Sequence, residues 1–328
     1  MTVLDVNNTV PAIDEQTAAG IFSDHFPDSI ARITRFPTGL CHYVYEVATS
    51  GGPSYVVRIA PPATREYMEG GVYWGRRLRD SGVPIPTVYA TRLGDPLSYT
   101  VMERLPGNDL GHVYAAMSSS AKRDLATEIA AIQQTVGEWP KPRRYGFASS
   151  YEQIETDGAA SWGDVVEADI ARSEGRIREV GRIDPAFVER AREVAEAHER
   201  YFSAVRPTPF LDDTTTKNVI VADGVLSGIV DTDQVCFGDP LFTIGLTKMA
   251  LLSAGHDTEY IEYWLAAIDA DAEARRVVDV YTLVFCVNFM SELGQTFNRE
   301  ILHDEDTAAR LTDVFGALSA RIEQAGRT

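Results

Sequence analysis

The chain has 328 residues, of which 45% are hydrophobic, so it can bury a sizeable core and is long enough for two lobes that share a cleft. Its net charge of −18 argues against a nucleic-acid partner held through phosphates. No run of about eighteen or more uncharged apolar residues occurs, so no membrane partner is expected. The N-terminus lacks a basic segment followed by an apolar one, so no secretory signal is expected.

Charge and cysteine placement add two further expectations. Residues 1–105 hold 11 acids and 9 bases, whereas residues 106–328 hold 37 acids and 21 bases. The acidic second half could attract a cationic substrate through its long-range field, or it could serve only solubility, and composition leaves both explanations open. Cys41, Cys236 and Cys286 show no paired spacing for a disulfide framework or a zinc site, which favours a reducing cytoplasm.

The first hundred residues predict a small antiparallel sheet with one inserted helix. A short amphipathic helix is expected over 12–30, and another over 64–80 that stops at Ser81-Gly82. Segments rich in β-branched and aromatic residues with partial alternation are typical of strands. The predicted strands cover residues 31–36, 43–47, 54–59, 88–91 and 98–103.

Beyond Pro106-Gly107 the pattern becomes mainly helical. Asp223-Gly224 is a favoured two-residue turn, so it predicts a hairpin between segments 218–221 and 226–230. Apolar residues at helical spacing predict the remaining elements, which cover residues 119–137, 163–181, 185–203 and 277–291. We therefore predict an N-terminal lobe at 1–105 and a C-terminal lobe at 106–328.

The most informative segment places Asp213 five residues before Asn218, with Asp231 one hairpin further along. The simple explanation for the first two is a polar turn that caps itself through its side chains. Asp231, however, emerges from an apolar strand, and a carboxylate there needs a cation because burial of an unpaired charge is costly. Magnesium ions shared with phosphates suit such oxygen ligands. The spacing indicates phosphoryl transfer, in which protein groups orient a hydroxyl and hold metal ions.

These motifs resemble the aminoglycoside phosphotransferase family. The segment from Leu211 to Asn218 is similar to the catalytic loop of that family, His-Gly-Asp-x-x-x-x-Asn, and the segment from Val230 to Pro240 is similar to its metal-binding segment, which ends in Gly-Asp-Pro. The resemblance implies an α+β, protein-kinase-like fold of two lobes, with a small antiparallel sheet in the N-terminal lobe and a mainly helical C-terminal lobe.

The resemblance also implies roles for the residues of these two segments. Asp213 is expected to be the catalytic base, Asn218 and Asp231 the ligands of Mg²⁺, and Asp239 a residue that braces the loop. The acceptor would be a hydroxyl group of a small molecule.

The N-terminal lobe carries weaker signals of the same kind. Thr38-Gly39-Leu40 resembles the nucleotide loop of the family, in which Gly39 would let the backbone approach phosphates. Arg58 lies on a predicted strand where it would contact phosphate oxygens, to which its fork geometry is suited. Its expected partner is an acid on helix 64–80, with Glu69 preferred and Glu66 next.

A hinge between the lobes is expected at Met102-Glu-Arg-Leu-Pro-Gly107. By resemblance, the carbonyl of Glu103 and the amide of Leu105 would bind the edge of an adenine or guanine base. These are backbone groups, so the side chains leave ATP and GTP both open.

Several positions depart from the family pattern. Leu211 and Asp212 replace the usual His-Gly, and no acid is present near Phe242-Thr243, where a further acid is usual. Lys217 could touch the transferred phosphate or remain in solvent, and the sequence does not decide between these.

Two hypotheses about function follow. The first is a cytoplasmic small-molecule kinase that transfers the γ-phosphate of ATP or GTP to a hydroxyl of a polar metabolite or antibiotic, with a role in antibiotic resistance in the latter case. The alternative is a pseudokinase that binds a nucleotide without turnover, suggested by Leu211 and by the missing acid at Thr243. The oligomeric state cannot be derived from the sequence.

Overall fold

The computed structural model describes residues 13–36, 41–295 and 305–325. The helices and strands of the first part are α1 (Glu15–Ser23), β1 (Ile30–Arg35), β2 (Tyr43–Thr49), β3 (Ser54–Ala60), α2 (Arg65–Asp80), β4 (Val88–Arg92) and β5 (Ser98–Glu103). The strands form one five-stranded antiparallel sheet in the spatial order β1-β2-β3-β5-β4. The predicted strands and the predicted antiparallel arrangement are therefore confirmed.

Helix α1 is shorter than the sequence pattern predicts. It starts after Asp14, whose side chain accepts a hydrogen bond from the Thr17 amide at 2.8 Å, and it ends at Ser23 rather than near residue 30. The segment that follows contains Pro27, which has no N–H to continue a helix. Ala18 and Phe22 of α1 are fully buried against the sheet, where they share a small core with Tyr45, Val47, Val57, Ile59 and Val101.

The second part of the chain is mainly helical. Its helices are α3 (Leu110–Val113), α4 (Ser119–Gly137), α5 (Tyr151–Asp157), α6 (Trp162–Val180), α7 (Ala186–Ala197), α8 (Glu199–Phe202), α9 (Leu241–Ser253), α10 (Glu259–Ala267), α11 (Ala272–Glu292) and α12 (Glu305–Ala325). Its strands are β6 (Asn108–Asp109), β7 (Gly146–Ala148), β8 (Thr208–Phe210), β9 (Val219–Ala222), β10 (Val225–Ile229) and β11 (Val235–Gly238). Among the helices of the described ranges, none combines the length and hydropathy needed to cross a membrane.

One predicted helix, 185–203, is divided into α7 and α8. The break lies at His198, whose ring Nδ1 is 2.8 Å from the Val194 carbonyl. A continuous helix would use that carbonyl for the backbone amide of His198, which bonds instead to Ala195 at 2.9 Å. The side chain thus competes with the helical ladder and ends it.

Helix α2 lies within the first hundred residues but packs on the larger lobe. Trp74 is fully buried, donates from Nε1 to the Ala148 carbonyl at 2.8 Å and stacks on Trp139 at 6.0 Å between ring centroids. Trp74 and Leu78 belong to the same hydrophobic core as α4 and β9. The predicted boundary after residue 105 assigns α2 to the N-terminal lobe by its position in the chain. In the structure, however, α2 packs on the C-terminal lobe.

Two small sheets of the larger lobe carry the segments that the sequence singled out. Their strand orders are β10-β9-β6 and β7-β11-β8. The predicted hairpin of β9 and β10 is confirmed, with Asp223 and Gly224 in the left-handed region at φ 51° and 81°. Segment 211–218 connects β8 to β9, and segment 230–234 connects β10 to β11. Because β9 and β10 are antiparallel neighbours, the C-terminal end of the first segment meets the start of the second.

Candidate active site

The segment 211–218 forms a tight polar turn. The Asp213 carboxylate accepts a hydrogen bond from the Thr215 amide at 3.2 Å, and Asn218 Nδ2 donates to the Asp213 carbonyl at 3.1 Å. The turn that caps itself is therefore present, and it brings the two residues of the motif into contact. Asn218 is buried, and its Oδ1 makes no hydrogen bond within the described residues.

Gln133 of α4 holds the start of this turn, a role that the sequence analysis missed. Its Oε1 accepts from the Leu211 amide at 2.9 Å, and its Nε2 donates to the Leu211 carbonyl at 2.9 Å and to Thr214 Oγ1 at 3.2 Å. Thr214 Oγ1 also lies 3.2 Å from Thr243 Oγ1. Thr243, which occupies the position of the expected acid, thus contacts the loop through a hydroxyl.

The adjacent acids Asp212 and Asp213 lie in this turn without an ion-pair partner in the described parts of the chain. Burial, followed by the neighbouring charge of Asp213, raises the pKa of Asp212 well above its ordinary value. Burial also raises the pKa of Asp213, while hydrogen bonds from Thr215 and the exposed Lys217 oppose the shift. Both carboxyls therefore hold a proton more readily than an exposed aspartate does.

Asp231 is placed beside the turn by the backbone. The Val230 amide donates to the Asn218 carbonyl at 2.9 Å, which fixes the start of segment 230–234 next to the end of segment 211–218. Asp231 itself has φ 61°, a conformation that aspartate tolerates better than most residues. Its side chain is 53% exposed and faces the cleft between the lobes together with Arg58.

Arg58 of β3 reaches across the cleft to two acids of that segment. Its Nη1 donates to Asp233 Oδ1 at 2.5 Å and its Nη2 to Asp233 Oδ2 at 2.6 Å, and Nη2 also contacts Asp231 Oδ1. Burial disfavours the charge on Arg58, but the two acids outweigh it and raise the pKa of the guanidinium above its ordinary value. The arginine is thus a fixed positive charge in the cleft.

The structure corrects the expected partner of Arg58. Glu69 and Glu66 lie on the exposed side of α2, and neither contacts Arg58; Glu66 instead accepts a hydrogen bond from Gln153. Near Arg58 the helix instead carries the pair Gly70-Gly71, which lies against Asp233. A Cβ at Gly71 would lie 2.4 Å from Asp233 Oδ1, and one at Gly70 would lie 2.1 Å from the Asp233 carbonyl oxygen.

His42 completes the cluster around Asp233. Its Nδ1 lies 3.4 Å from Asp233 Oδ2, and its Nε2 lies 3.3 Å from the Thr64 carbonyl. Burial and the charge of Arg58 lower the pKa of His42 to about 3, so the ring is neutral at physiological pH. Donor atoms of His42, Asp231 and Asp233 lie within 4.8 Å of one another, but Arg58 is bonded to both acids and already supplies the compensating charge.

Asn218 and Asp231 carry oxygen donors of the kind that Mg²⁺ prefers. Asn218 Oδ1 makes no hydrogen bond within the described residues, and the half-exposed Asp231 carboxylate contacts Arg58 through Oδ1. The Val230–Asn218 backbone bond brings the two segments together. The residues present therefore fit the metal that the resemblance implies.

Other predicted positions lie further from this cluster. Glu103 is the last residue of β5, and the Leu105 amide donates to no other group of the described chain. Gly39, with the rest of the expected nucleotide loop, lies outside the described residues.

Asp239 is buried, but it does not touch segment 211–218. It accepts hydrogen bonds from Tyr201 at 2.9 Å, Tyr281 at 2.7 Å and the Leu241 amide at 3.0 Å, so it braces α8, α11 and the start of α9.

Comparisons with solved structures show the same fold in small-molecule kinases. A ternary complex of aminoglycoside phosphotransferase APH(4)-Ia with ADP and hygromycin B has 14% sequence identity and a TM-score of 0.62, with 95% of this chain and 98% of that chain covered. The GDP complex of an aminoglycoside 2'-phosphotransferase-IIIa mutant has 14% sequence identity and a TM-score of 0.64, with 95% of this chain and 97% of that chain covered.

A putative fructosamine-3-kinase from Haemophilus somnus 129PT gives 15% identity and a TM-score of 0.60, with 90% of this chain and 95% of that chain covered. These likenesses confirm the protein-kinase-like fold of two lobes. A search of curated protein sequences gives no match.

The comparison with protein families covers most of the chain. The model described as "Phosphotransferase enzyme family" matches residues 32–279, which include β3, both acidic segments and the helices that support them. The chain therefore belongs to the phosphotransferase enzyme family and is a phosphotransferase with an alcohol group as acceptor.

Proposed function

We propose that this small-molecule kinase transfers the γ-phosphate of ATP or GTP to a hydroxyl of a polar metabolite or antibiotic. The observation that carries the proposal is the meeting of the two acidic segments through the Val230–Asn218 backbone bond. It puts a candidate base, Asp213, and two oxygen donors, Asn218 and Asp231, at one end of the cleft. Solved structures of the same fold contain ADP or GDP, which supports a nucleotide as the phosphate donor.

Each group of the cleft then has a task. Asp213 orients the acceptor hydroxyl and takes its proton, for which a raised pKa is favourable because it brings the base closer to the working pH. Asn218 and Asp231 would hold Mg²⁺, which would supply positive charge against the charge that develops on the transferred phosphate. Arg58 contacts the phosphates, and Gly39, Glu103 and Leu105 bind the nucleotide through their backbone.

The acceptor is a small molecule, and its class is open beyond its hydroxyl group. A cationic acceptor would suit the acidic second half of the chain, and a role in antibiotic resistance would follow if the acceptor is an antibiotic. We propose a cytoplasmic location from the unpaired cysteines. The comparisons give no support to the pseudokinase alternative, which remains one outcome of the test.

A transfer screen tests the proposal. ATP and GTP would be offered with magnesium and panels of aminoglycosides, peptide and nucleoside antibiotics, amino alcohols and sugars, and phosphorylated products would be detected by mass spectrometry. Asp213→Asn is the matched control, since it keeps the volume of the side chain and removes the base. Product with the wild type alone supports the proposal. Nucleotide-dependent thermal stabilisation without any product would favour the pseudokinase.

A further inference from the structure

The two acids that bind Arg58 do so unequally. Asp233 contacts both terminal nitrogens of the guanidinium with its two oxygens, whereas Asp231 contacts one nitrogen with one oxygen. The Asp233 side chain is 11% exposed and the Asp231 side chain 53%. A two-point, shielded ion pair is stronger and more directional than a single exposed contact. Asp233 is therefore the lasting partner of Arg58, and Asp231 is the partner that another ligand could replace.

The helix beside this pair is shaped to admit Asp233. Glycine in a helix interior costs about 1 kcal/mol relative to alanine, and α2 carries two in succession. Both lie against Asp233, Gly70 against its carbonyl and Gly71 against its carboxylate. A side chain at position 71 would occupy the space of that carboxylate, so a side chain there and the observed position of Asp233 exclude one another. The glycine pair thus has a local purpose that offsets its cost.

His42 lies on the other side of Asp233, with Nδ1 3.4 Å from Oδ2. Because the neutral ring uses its N–H on the Thr64 carbonyl, it packs beside the carboxylate without donating a hydrogen bond to it. The carboxylate is thus enclosed by Arg58 of β3, the glycine pair of α2 and the ring of His42.

We propose that Asp233 is the positioning residue of Arg58. It holds the guanidinium in the cleft, where Arg58 can contact the phosphates of the nucleotide, and it leaves Asp231 available to hold Mg²⁺. Gly70 and Gly71 provide the space for it in place of an acid on α2. This inference rests on the proposed contact of Arg58 with phosphates. It assigns to Asp233 no contact with the substrate.

The first test compares nucleotide with nucleoside. Wild type and Asp233→Asn would be titrated by calorimetry with the nucleotide that the wild type binds, ATP or GTP, and by competition with adenosine or guanosine. Loss of a charge-assisted pair should weaken nucleotide binding by about 10- to 100-fold. Nucleoside affinity should stay within about two-fold of the wild type, because Arg58 acts on phosphates. A structural defect would weaken both ligands.

The second test displaces the carboxylate without removing a charge. Gly71→Ala should weaken nucleotide binding by a similar factor, although alanine ordinarily favours a helix. In an Asp233→Ala background the same substitution should have no further effect, since the clashing atoms are gone. Gly175→Ala on α6 is the matched control, because nothing lies within 4 Å of a Cβ there, and it should bind like the wild type. This arm keeps the proposal testable if Asp233→Asn does not fold.

The outcomes separate this inference from the proposed function. If the wild type binds no nucleotide, the proposed function fails. If the wild type binds and both Asp233→Asn and Gly71→Ala bind equally well, the positioning role is wrong. A loss confined to the magnesium-bound nucleotide, with unchanged affinity in EDTA, would place Asp233 on the metal and would also overturn the inference.

Discussion

Two pairs of acids face the cleft, and the protein surrounds them differently. Asp212 and Asp213 lie in a turn fixed by hydrogen bonds with Gln133, the Thr247 hydroxyl and the Thr215 amide, and burial raises the pKa of both. Asp231 and Asp233 share the guanidinium of Arg58. Burial raises the pKa of Asp233 as well, to about 6, although the charge of Arg58 opposes this shift. The two pairs therefore differ in what binds their carboxylates, which is hydrogen-bond donors in one pair and a guanidinium in the other.

The largest effect expected from this contrast is at Asp213. Asp213→Asn should lower the rate of phosphate transfer by about 10²- to 10⁴-fold, because the general base is lost. Nucleotide affinity should barely change, since the residue acts on the acceptor. Single-turnover kinetics and nucleotide titration measure the two quantities. Asp212→Asn is the control and should cost far less, so an inactive Asp212→Asn beside an active Asp213→Asn would reverse the assignment.

The next largest effect is expected at Asp231. Asp231→Ala should remove the magnesium dependence of nucleotide binding, because the site loses its charged oxygen ligand. Calorimetric titration with and without magnesium measures this. Asp223→Ala is a matched control: Asp223 is also an exposed aspartate at positive φ, but it lies at the hairpin turn, so it reports the backbone cost alone. An Asp231→Ala variant that still responds to magnesium would contradict the metal assignment.

A smaller effect is expected from loss of the hydrogen bonds that Gln133 makes with segment 211–218. Gln133→Ala leaves the buried Leu211 amide and carbonyl without their partner, which should lower the free energy of unfolding by about 1–3 kcal/mol. Urea unfolding measures the change, and the exposed neighbour Gln134→Ala serves as the control. Equal stability of the two variants would mean that the turn does not depend on Gln133.

The smallest effect concerns pH. The pKa of Asp212 is raised on folding, so its contribution to stability is fully present below the unfolded pKa and is lost as the pH rises through the folded pKa. Asp212→Asn should therefore melt at a higher temperature than the wild type near pH 7, and the difference should shrink towards pH 4. A difference in melting temperature between variant and wild type that stays constant from pH 4 to pH 7 would show that the charge of Asp212 does not destabilise the folded protein.

The sequence predicts those parts of the site that depend on local spacing. The turn of Asp213 and Asn218 spans six residues, and the hairpin with Asp223-Gly224 brings Asp231 next to it. Both follow from short-range geometry and turn chemistry. The strands of the N-terminal sheet were likewise recognisable by alternation, because one face of that sheet is buried.

The partners of these residues were not predictable in the same way. Arg58 and Asp233 are 175 positions apart, and Gln133 and Leu211 are 78 apart, with no periodicity to link them. The sequence predicts the acidic partner of Arg58 on the helix that follows it in the chain, where Glu69 carries a negative charge. In the structure Glu69 lies on an exposed face of α2, and the side chain of Asp233, from segment 230–234, occupies the space beside Gly71.

The packing of α2 has a mechanical consequence. Because Trp74 bonds to β7 and stacks on Trp139, and the Ile229 amide bonds to the Pro84 carbonyl at 2.8 Å, α2 and the segment after it are tied to the C-terminal lobe at two points. If the lobes separate, we therefore expect α2 to move with the C-terminal lobe, and the Arg58–Asp233 ion pair, which joins the five-stranded sheet to that lobe, to be the contact that breaks.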